Sequence, residues 1–435
     1  MDTRQTRSSF LKTSGAAVLG AAGLPGVALG APARWSHTLF AGAKTLKLAN
    51  DKVTWKNWFN SEGKAAGSAV GVGWKAVEYS DTTSYQAAIR TSGRTSRVSD
   101  LYSWWSGWLM KEIVDANFAA DVSSLWDKHA NAYSKGVRAA FTFNGKTYGA
   151  PLYIGYWVVL YNKHIFKDNQ LTPPKTWADL ERINETLKSN NVTPFGATID
   201  GRWPGFIYFE EFLLRSDPAL YARLMAGKAK YTNPGVVKAM KLWGDWIGKG
   251  YFTDPASVTL GTGASNFTSY FKQGKVGMVQ IGTWFEPSLV GGGLKPGVDF
   301  GSFIMPMINT KAPKVVIFES GPLVAAEHGA NKADAIKALD YFMSRKGQTA
   351  WVKATGFVSP RSDVVSTSPV DRELTATIQR QGYRQLNRYW EATPHDIVEV
   401  AVDQFDKFML KTGDPTPYLK TIQKQADKSW ASLKK

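Results

Sequence analysis

The 435-residue sequence contains no cysteine and only five histidines. The absence of cysteine excludes disulfides, thiolate nucleophiles and cysteine metal ligands together, and it leaves no residue for lipid attachment. The histidines have no metal-ligand spacing, so each is expected to be solvated or locally hydrogen-bonded. We therefore predict no metal site and a protein that is not lipid-anchored. The five residues are His37, His129, His164, His328 and His395.

Short catalytic and phosphate-binding motifs are also missing. Neither H-E-x-x-H nor G-x-S-x-G occurs, and the glycine-rich stretches 261–265 and 291–293 are not followed by the residues of a phosphate cradle. The adjacent Glu210 and Glu211 fall on one predicted helix and point apart, which does not suit a carboxylate pair. The sequence therefore predicts no cofactor, no catalytic residue and no enzymatic activity.

No apolar run long enough to span a membrane occurs outside the first thirty residues. Within residues 1–30, basic residues precede the small and apolar stretch Gly15–Leu29, and small residues follow at a potential cleavage site. Thr6–Lys12 resembles the twin-arginine export signature, although Ser8 replaces its second arginine. This pattern predicts a Tat-like export signal over residues 1–30 and a soluble periplasmic protein.

The composition is strongly basic, with a formal net charge of +17. The lysines and arginines are dispersed, and no run of five occurs, so a nucleic-acid partner is not expected. The charge is interpreted first as a solvated surface and second as an indication of an anionic ligand.

From Thr45 onward, strand-like and helix-like segments alternate. This alternation predicts a parallel sheet with helices on its faces, as in α/β proteins. The tryptophan-rich stretch DLYSWWSGWLMKEIVD, Asp100–Asp115, begins at the end of the third strand, the edge at which open α/β sheets bind ligands. The predicted segments are strand Lys52–Trp58, helix Ser61–Val70, strand Gly73–Tyr79, helix Thr82–Thr91 and strand Val98–Tyr102.

Two later helices have clear start signals. Thr176 precedes an apolar stripe and has Asp179 three residues on, which predicts a capped helix. Asn331 is expected to cap a second helix that ends near Gly347.

Several stretches, taken together and in this order, resemble the extracellular solute-binding proteins of family 1, which are sugar receptors of ATP-driven importers. NGKTYGAP is followed by YNK and PPKTWADL, and TSYFKQGKVGMVQIGTWF resembles the family's glycine- and tryptophan-containing segment. The resemblance extends through the segment from GPLVAAEHG to SPRSDV and the C-terminal DPTPYLKTIQKQADKSW. The matching stretches are Asn144–Pro151, Tyr161–Lys163, Pro173–Leu180, Thr268–Phe285, Gly321–Val364 and Asp414–Trp430.

This resemblance implies a two-lobed periplasmic-binding-protein fold, with two parallel-rich α/β sheets joined by a hinge that the chain crosses several times. The N-terminal lobe is expected to comprise residues 46–153 plus 306–346, and the C-terminal lobe residues 154–305 plus 347–435. A carbohydrate, most simply an oligosaccharide, would bind between the lobes. The protein is expected to act as a monomer that delivers this ligand to the membrane permease of an ABC importer.

A carbohydrate site requires aromatic planes for the C–H faces and planar polar groups for the hydroxyls. Trp104 and Trp105 at the end of the third strand are candidates, with core packing as the alternative. Trp58 ends the first predicted strand. Tyr153 and Tyr156 occupy the expected hinge crossing, where they either reach the ligand or pack the hinge.

The remaining candidates lie in later loops. Trp284 occupies the tryptophan position of the family segment and is the foremost single candidate. Asp200 and Arg202 either bind ligand or pair with each other, and Glu319 either binds hydroxyls or pairs with a lysine. Arg361 and Trp390 are expected in the outer part of the site, with ordinary surface or core packing as the alternative. Together these candidates are Asp200, Arg202, Trp203, Trp284, Glu319, Arg361 and Trp390.

Two alternatives stay open at this stage. The net charge, together with Arg202 and Arg361, would suit a uronic-acid oligosaccharide as ligand. A secreted polysaccharide lyase or glycosidase could also use an aromatic cleft, as an array of sugar subsites.

Overall fold

The computed structural model describes residues 43–260 and 266–433; the predicted export signal, residues 1–30, lies outside them. Two mixed sheets and a short hairpin hold the strands. In chain order the strands are β1 (Lys44–Asn50), β2 (Val72–Glu78), β3 (Leu101–Ser103), β4 (Thr142–Phe143), β5 (Lys146–Thr147), β6 (Ala150–Pro151), β7 (Gly155–Asn162), β8 (Thr193–Phe195), β9 (Val276–Gly282), β10 (Phe300–Phe303), β11 (Val315–Glu319), β12 (Pro322–Ala325) and β13 (Arg384–Asn387).

Helices surround both sheets, and none in the described ranges is long and apolar enough to span a membrane. Short 3₁₀ turns add Val53–Trp55, Ala130–Ala132, Trp203–Phe206 and Thr283–Phe285. The α-helices are α1 (Lys56–Val70), α2 (Thr82–Ser92), α3 (Gly107–Asp115), α4 (Ser123–Lys128), α5 (Lys135–Ala139), α6 (Lys163–Asp168), α7 (Trp177–Ser189), α8 (Ile207–Ser216), α9 (Pro218–Met225), α10 (Pro234–Gly248), α11 (Phe267–Lys272), α12 (Glu286–Gly291), α13 (Lys332–Met343), α14 (Arg345–Thr355), α15 (Pro369–Arg380), α16 (Tyr389–Ala392), α17 (His395–Leu410) and α18 (Thr416–Leu433).

The first sheet has the strand order β2-β1-β3-β12-β6. Its first three strands are parallel, with Leu48 opposite both Ala76 of β2 and Leu101 of β3. β12 runs antiparallel to β3 and to β6. The carboxyl ends of β1, β2 and β3 therefore meet at one edge, as the alternating sequence pattern predicts.

The second sheet has the order β13-β11-β7-β9-β8, and β10 pairs with β7. β13 is parallel to β11 and β8 is parallel to β9, whereas β7 is antiparallel to β9, β10 and β11. Each sheet thus mixes both directions, because β7 and β12 enter their sheets directly from the other lobe without a crossover helix.

Local signals account for several elements. The Thr176 hydroxyl accepts from the Asp179 N–H at 3.1 Å, and Asp179 accepts from the Thr176 N–H, so the predicted capping box begins α7. The predicted helices over residues 61–70 and 82–91 correspond to α1 and α2. The helix predicted to run from Asn331 to about Gly347 is divided at Ser344, which ends α13 and caps α14 through the N–H of Gly347.

The predicted strand Lys52–Trp58 is wrong. This segment forms the turn Val53–Trp55 and the first residues of α1, and the first strand is β1, one segment earlier. The error has a physical cause: Val53, Trp55 and Trp58 are β-favouring residues, but tertiary packing of α1 on β2 overrides that propensity.

The sheets place the lobe boundaries differently from the expected residue ranges. β11 pairs with β7 in the second sheet, although residues 306–346 were assigned whole to the N-terminal lobe. α14 packs on α1 and α13 and buries Trp351 in the core of the first lobe, although residues from 347 onward were assigned to the other lobe. The crossings therefore lie after Glu319 and beyond Thr355, where hydrogen bonding and packing separate the two sheets.

One buried apolar cluster continues across both lobes. It joins α3, through Leu109 and Met110, to Tyr389 and Trp390 of the second lobe. Each lobe also has its own cluster, containing Trp351 in the first lobe and Phe271 in the second. The lobes are thus in apolar contact beside the crossings.

Candidate functional site

A cleft of about 610 Å³ lies where the carboxyl ends of strands from both sheets meet. Residues following β1, β2 and β3 line it from the first lobe. From the second lobe it is lined by residues following β8, β9 and β13 and by Glu319, the last residue of β11. Its volume is in the range of small-molecule binding sites. The position agrees with the rule that open α/β sheets bind ligands at their carboxyl edges.

Two partly exposed indoles form the aromatic wall of the second lobe. Trp203 follows the loop after β8, and Trp284 follows β9 directly. Their ring centroids are 5.8 Å apart at an interplanar angle of 61°. Trp284 is supported from behind by the buried Trp157 at 6.2 Å. This packing fixes the two rings, so that they present a preformed apolar surface to the cleft.

A lysine and two indoles form the facing wall in the first lobe. The Lys52 ammonium lies 4.9 Å from the Trp105 ring centroid and 5.7 Å from that of Trp55. It also pairs with Asp51 at 2.6 Å, and the second oxygen of Asp51 accepts from the Thr82 hydroxyl at 2.7 Å. The lysine charge is therefore neutralised and its position is fixed by cation–π contact.

The base of the cleft is a buried carboxylate–guanidinium–carboxylate group. Arg388 bonds Glu319 at 2.6 Å and holds Glu391 through a pair of hydrogen bonds. The Tyr153 hydroxyl donates to the other oxygen of Glu319 at 3.2 Å. All three charged side chains are at most 7% exposed, so the geometry satisfies charges that would otherwise be costly to bury.

This burial shifts the pKa values of the group. Loss of hydration raises the pKa of Glu319 to about 7, although the positive charge of Arg388 opposes the increase. Burial alone would lower the pKa of Arg388, but the attraction of Glu319 and Glu391 outweighs it and raises the pKa. Burial thus raises the pKa of the Glu319 carboxyl at the cleft from its ordinary value towards neutral pH.

The Trp284 indole N–H is buried close to this group. It makes no hydrogen bond to the described residues, although it is near enough to the Glu319 carboxylate to lower the pKa of that group. The Trp390 N–H and the Gln86 side-chain amide nitrogen, also on lining residues, are likewise buried without a partner in the ranges 43–260 and 266–433. The cleft wall therefore contains unsatisfied donors, which suit ligand oxygens or bound water.

The rim carries further ion pairs. Arg202 binds Glu399 and Asp403, each at 2.8 Å, and does not pair with the exposed Asp200. On the first lobe, Arg90 binds both oxygens of Glu112, at 2.6 and 3.0 Å. Of the two alternatives predicted for these residues, the Asp200–Arg202 ion pair is therefore not formed, and a role in ligand binding stays a prediction.

His395 also lines the cleft, 3.7 Å from Glu399. Burial lowers the pKa of His395, the negative charge of Glu399 raises it, and the positive charge of Arg90 from the other lobe lowers it further. The imidazole therefore favours the neutral form. Among the described residues, no group of three or more His, Asp or Glu side chains could hold a metal ion.

The structure brings eight of the twelve predicted ligand residues into the cleft lining. They come from both lobes and from the crossing region, although they are dispersed through more than half of the sequence. The eight are Trp105, Tyr153, Asp200, Arg202, Trp203, Trp284, Glu319 and Trp390.

The other four predicted residues do not line the cleft. Trp104 is 1% exposed and donates its indole N–H to the Leu109 carbonyl at 2.9 Å, so it packs beneath α3, whereas its neighbour Trp105 lines the cleft. Trp58 lies on α1 against Trp55 and Phe357, since its predicted strand is a helix.

Tyr156 and Arg361 are also outside. Tyr156 is 5% exposed and packs in the core of the second lobe, because it is part of β7. Arg361 binds Asp363 through two hydrogen bonds, donates to the Met343 carbonyl at 2.7 Å and covers the Tyr133 ring. Its charge thus stabilises the first lobe and is directed away from the cleft.

Sequence reasoning missed several lining residues. Asp51, Lys52 and Trp55 would have been found had β1 been placed correctly, because they directly follow it. Gln86 and Arg90 lie on one face of α2 behind the cleft edge. Arg388 has a local partner in Glu391, three residues on, but its place at the cleft also depends on Glu319, which is remote in the sequence.

Comparison with known proteins identifies the family. The sequence pattern of bacterial extracellular solute-binding proteins matches residues 63–377, which is more than half of the chain. The chain belongs to this family. It is therefore a solute-binding protein and not an enzyme.

An uncharacterized ABC transporter extracellular-binding protein of Pyrococcus horikoshii is 24% identical over 269 residues. The match covers 61% of this solute-binding protein and 58% of that relative, which is less than two thirds of the relative's length.

Among solved structures, the bacterial solute receptor AcbH has a TM-score of 0.78 at 19% identity, with 90% of this chain and 100% of that chain covered. A chitin oligosaccharide binding protein has a TM-score of 0.78 at 18% identity, with 89% and 99% covered. These similarities establish the two-lobed fold of this solute-binding protein.

Proposed function

We propose that this solute-binding protein is a periplasmic carbohydrate receptor that holds an oligosaccharide between its lobes and delivers it to the permease of an ABC importer. The observation that carries the proposal is the pair of facing walls. Trp203 and Trp284 offer apolar planes on one side, and Trp105 lies on the other. Sugar C–H faces pack on such planes.

Polar groups between these walls suit the hydroxyls of the ligand. Glu319, Asp200 and Asp81 line the same cleft as the indoles, together with Gln86 and its unsatisfied amide nitrogen. Buried hydroxyls require such partners, because leaving one unpaired costs about 1 to 3 kcal/mol. Similar folds support this ligand class: AcbH is described with a preference for β-D-galactopyranose, and another neighbour binds chitin oligosaccharides.

A neutral sugar fits the cleft better than a uronic-acid chain. Each cation that lines it already has an acidic partner: Lys52 has Asp51, Arg90 has Glu112, Arg202 has Glu399, and Arg388 has Glu319. A carboxylate ligand would therefore compete with these acids and gain little net attraction. The excess positive charge of the sequence is therefore not concentrated in the cleft.

Titration calorimetry against neutral and uronic oligosaccharides, over a salt series, tests the proposal. We expect saturable one-to-one binding of a neutral oligosaccharide with little dependence on salt. Binding only of the charged sugars, weakening as salt rises, would establish the anionic alternative. No binding of any saccharide, or cleavage products in the same panel, would refute the receptor function.

Delivery requires closure of the lobes around the ligand. A ligand shifts this equilibrium only by its difference in affinity for the two states, and a near-complete shift needs about 5.5 kcal/mol. Contacts from both walls can supply this difference in affinity, because the ligand touches only one wall when the lobes are open and both walls when they are closed. The surface that binds the permease would then combine parts of both lobes.

A further inference from the structure

One face of the second lobe carries six exposed lysines without ion-pair partners among the described residues. Three of them, Lys420, Lys424 and Lys428, lie along α18 at four-residue spacing and so form one stripe. We call this set the basic face; it comprises Lys228, Lys230, Lys241, Lys420, Lys424 and Lys428.

Contacts join the three segments that carry these lysines. The Tyr231 N–H, next to Lys230, donates to Gln423 of α18 at 2.6 Å. Gly227, next to Lys228, lies directly against the ring of Trp430. Lys241 of α10 and Lys420 of α18 both act on Asp414, where bonds from Thr416 and then these two lysines lower the pKa of the carboxyl. The lysines therefore belong to one continuous surface.

Several lysines of the first lobe, in contrast, form direct ion pairs. Lys44, Lys128 and Lys332 each bond an aspartate or glutamate at 2.6 Å, and Lys56 bonds Glu78 at 2.9 Å. Acids near the basic face include Asp414 and Asp427, which accepts from Gln423 at 2.7 Å. Asp396 accepts from Gln425 of α18 at 2.9 Å, and Asp245 lies one helical turn from Lys241 on α10. What distinguishes the basic face is therefore the grouping on one surface of six lysines that form no direct ion pair with the described residues.

The chemistry of the face indicates its partner. Protein interfaces have apolar, aromatic-rich centres and contain little lysine. Here the exposed side chains are lysines on flexible stems, and the aromatic ring at its centre, Trp430, is packed against Trp108 at 5.5 Å. Dispersed ammonium groups suit a layer of phosphate charges, because each acts as an independent point charge.

We propose that the basic face docks the receptor on anionic phospholipid headgroups of the membrane surface. This interaction goes beyond the proposed sugar binding and does not depend on it. It would hold the receptor near its importer by long-range attraction, which weakens with salt.

Flotation with vesicles tests this proposal on the full chain. Wild-type protein is expected to bind vesicles of equal phosphatidylglycerol and phosphatidylcholine, to ignore pure phosphatidylcholine vesicles, and to dissociate as salt rises. The triple variant Lys420→Gln, Lys424→Gln, Lys428→Gln should bind the anionic vesicles at least about tenfold more weakly, since each lysine contributes about fivefold. Sugar affinity of this variant should stay within about twofold of the wild type, because none of the three lysines lines the cleft.

A matched control removes the same charge elsewhere. Lys64, Lys75 and Lys135 are exposed lysines of the first lobe, and their triple glutamine variant should retain most vesicle binding. If both variants lost vesicle binding equally, binding would depend on net charge alone, and the proposal that the basic face is the docking surface would be overturned. The lipid assignment would be overturned if the wild-type protein did not bind anionic vesicles. It would also be overturned if the α18 variant lost binding to the detergent-solubilised importer but kept its binding to vesicles. The second result would favour an acidic protein surface as the partner.

Discussion

At the scale of single residues, the direction of a tryptophan side chain, and not its residue type alone, decides whether it lines the cleft. Trp104 and Trp105 are adjacent, yet the first donates to a backbone carbonyl in the core and the second lies under the Lys52 ammonium at the cleft. Trp284 and Trp58 are both partly buried tryptophans, but only Trp284 lines the cleft. This difference makes them a matched pair for mutagenesis.

Replacing Trp284 with alanine should weaken oligosaccharide binding by about tenfold to a hundredfold, since it removes the central apolar plane of the second lobe. Trp58→Ala should leave affinity within about twofold, because this indole packs on Trp55 and Phe357 outside the cleft. Calorimetric titration of both variants with the same sugar measures the effect. Equal losses, or a larger loss for Trp58→Ala, would show that the cleft is not the site.

At the scale of elements, a buried pair of acids links the helix after Trp284 to α15. Glu286 begins α12 and accepts from the Ser368 hydroxyl at 2.8 Å, and Asp371 of α15 lies beside it. Burial raises the pKa of Glu286 to about 7, and burial together with the charge of Glu286 raises the pKa of Asp371 well above its usual range. Glu286 thus holds a proton in the folded state that it releases when unfolded.

This pair predicts a pH dependence of stability. Because the folded pKa of Glu286 exceeds its ordinary value of 4.5, the free energy of unfolding should decrease as pH rises from about 4.5 to about 7 and stay low above it. Glu286→Gln should remove about 2–3 kcal/mol of that decrease. Urea unfolding at about pH 5 and about pH 8, on either side of the folded pKa, measures the difference.

The control for this experiment is Glu373→Gln, which changes an exposed acid on the same helix α15. It should leave the pH dependence of the wild type unchanged. If Glu286→Gln shows the full wild-type decrease as well, Glu286 does not hold a proton in the folded state.

At the scale of the whole molecule, the two lobes meet at a tight contact between α3 and α16. Gly107 has a φ of 66°, and a Cβ placed there would come within 2.0 Å of the Glu391 carbonyl oxygen. Beside it, the Trp108 indole N–H donates to the Ala392 carbonyl at 3.1 Å. Only glycine allows the first lobe to approach the segment that carries Arg388 and Trp390 so closely.

Gly107→Ala should therefore lower the free energy of unfolding by about 2–4 kcal/mol, combining left-handed backbone strain with the inter-lobe clash. Gly71→Ala is the control: Gly71 has a φ of 74° but no atom within 4 Å of the added Cβ, so only about 1–2 kcal/mol should be lost. Urea unfolding measures stability, and small-angle scattering should show a more extended Gly107→Ala protein. Equal stability losses and identical scattering would contradict a role for this contact in holding the lobes together.

The sequence by itself predicted alternating strands and helices and the capped helix α7, because these depend on local periodicity and capping. The two-lobed fold and the solute-binding family followed from the resemblance of its motifs, in their order, to that family. It also located Trp203, Trp284 and Glu319 in loops that do reach the cleft. Only the tertiary structure decided that Trp104 is core while Trp105 is not, that Arg202 pairs with Glu399, and that Arg388 is held by Glu319 and Glu391. Those outcomes depend on side-chain direction and on partners far apart in sequence, which no local pattern specifies.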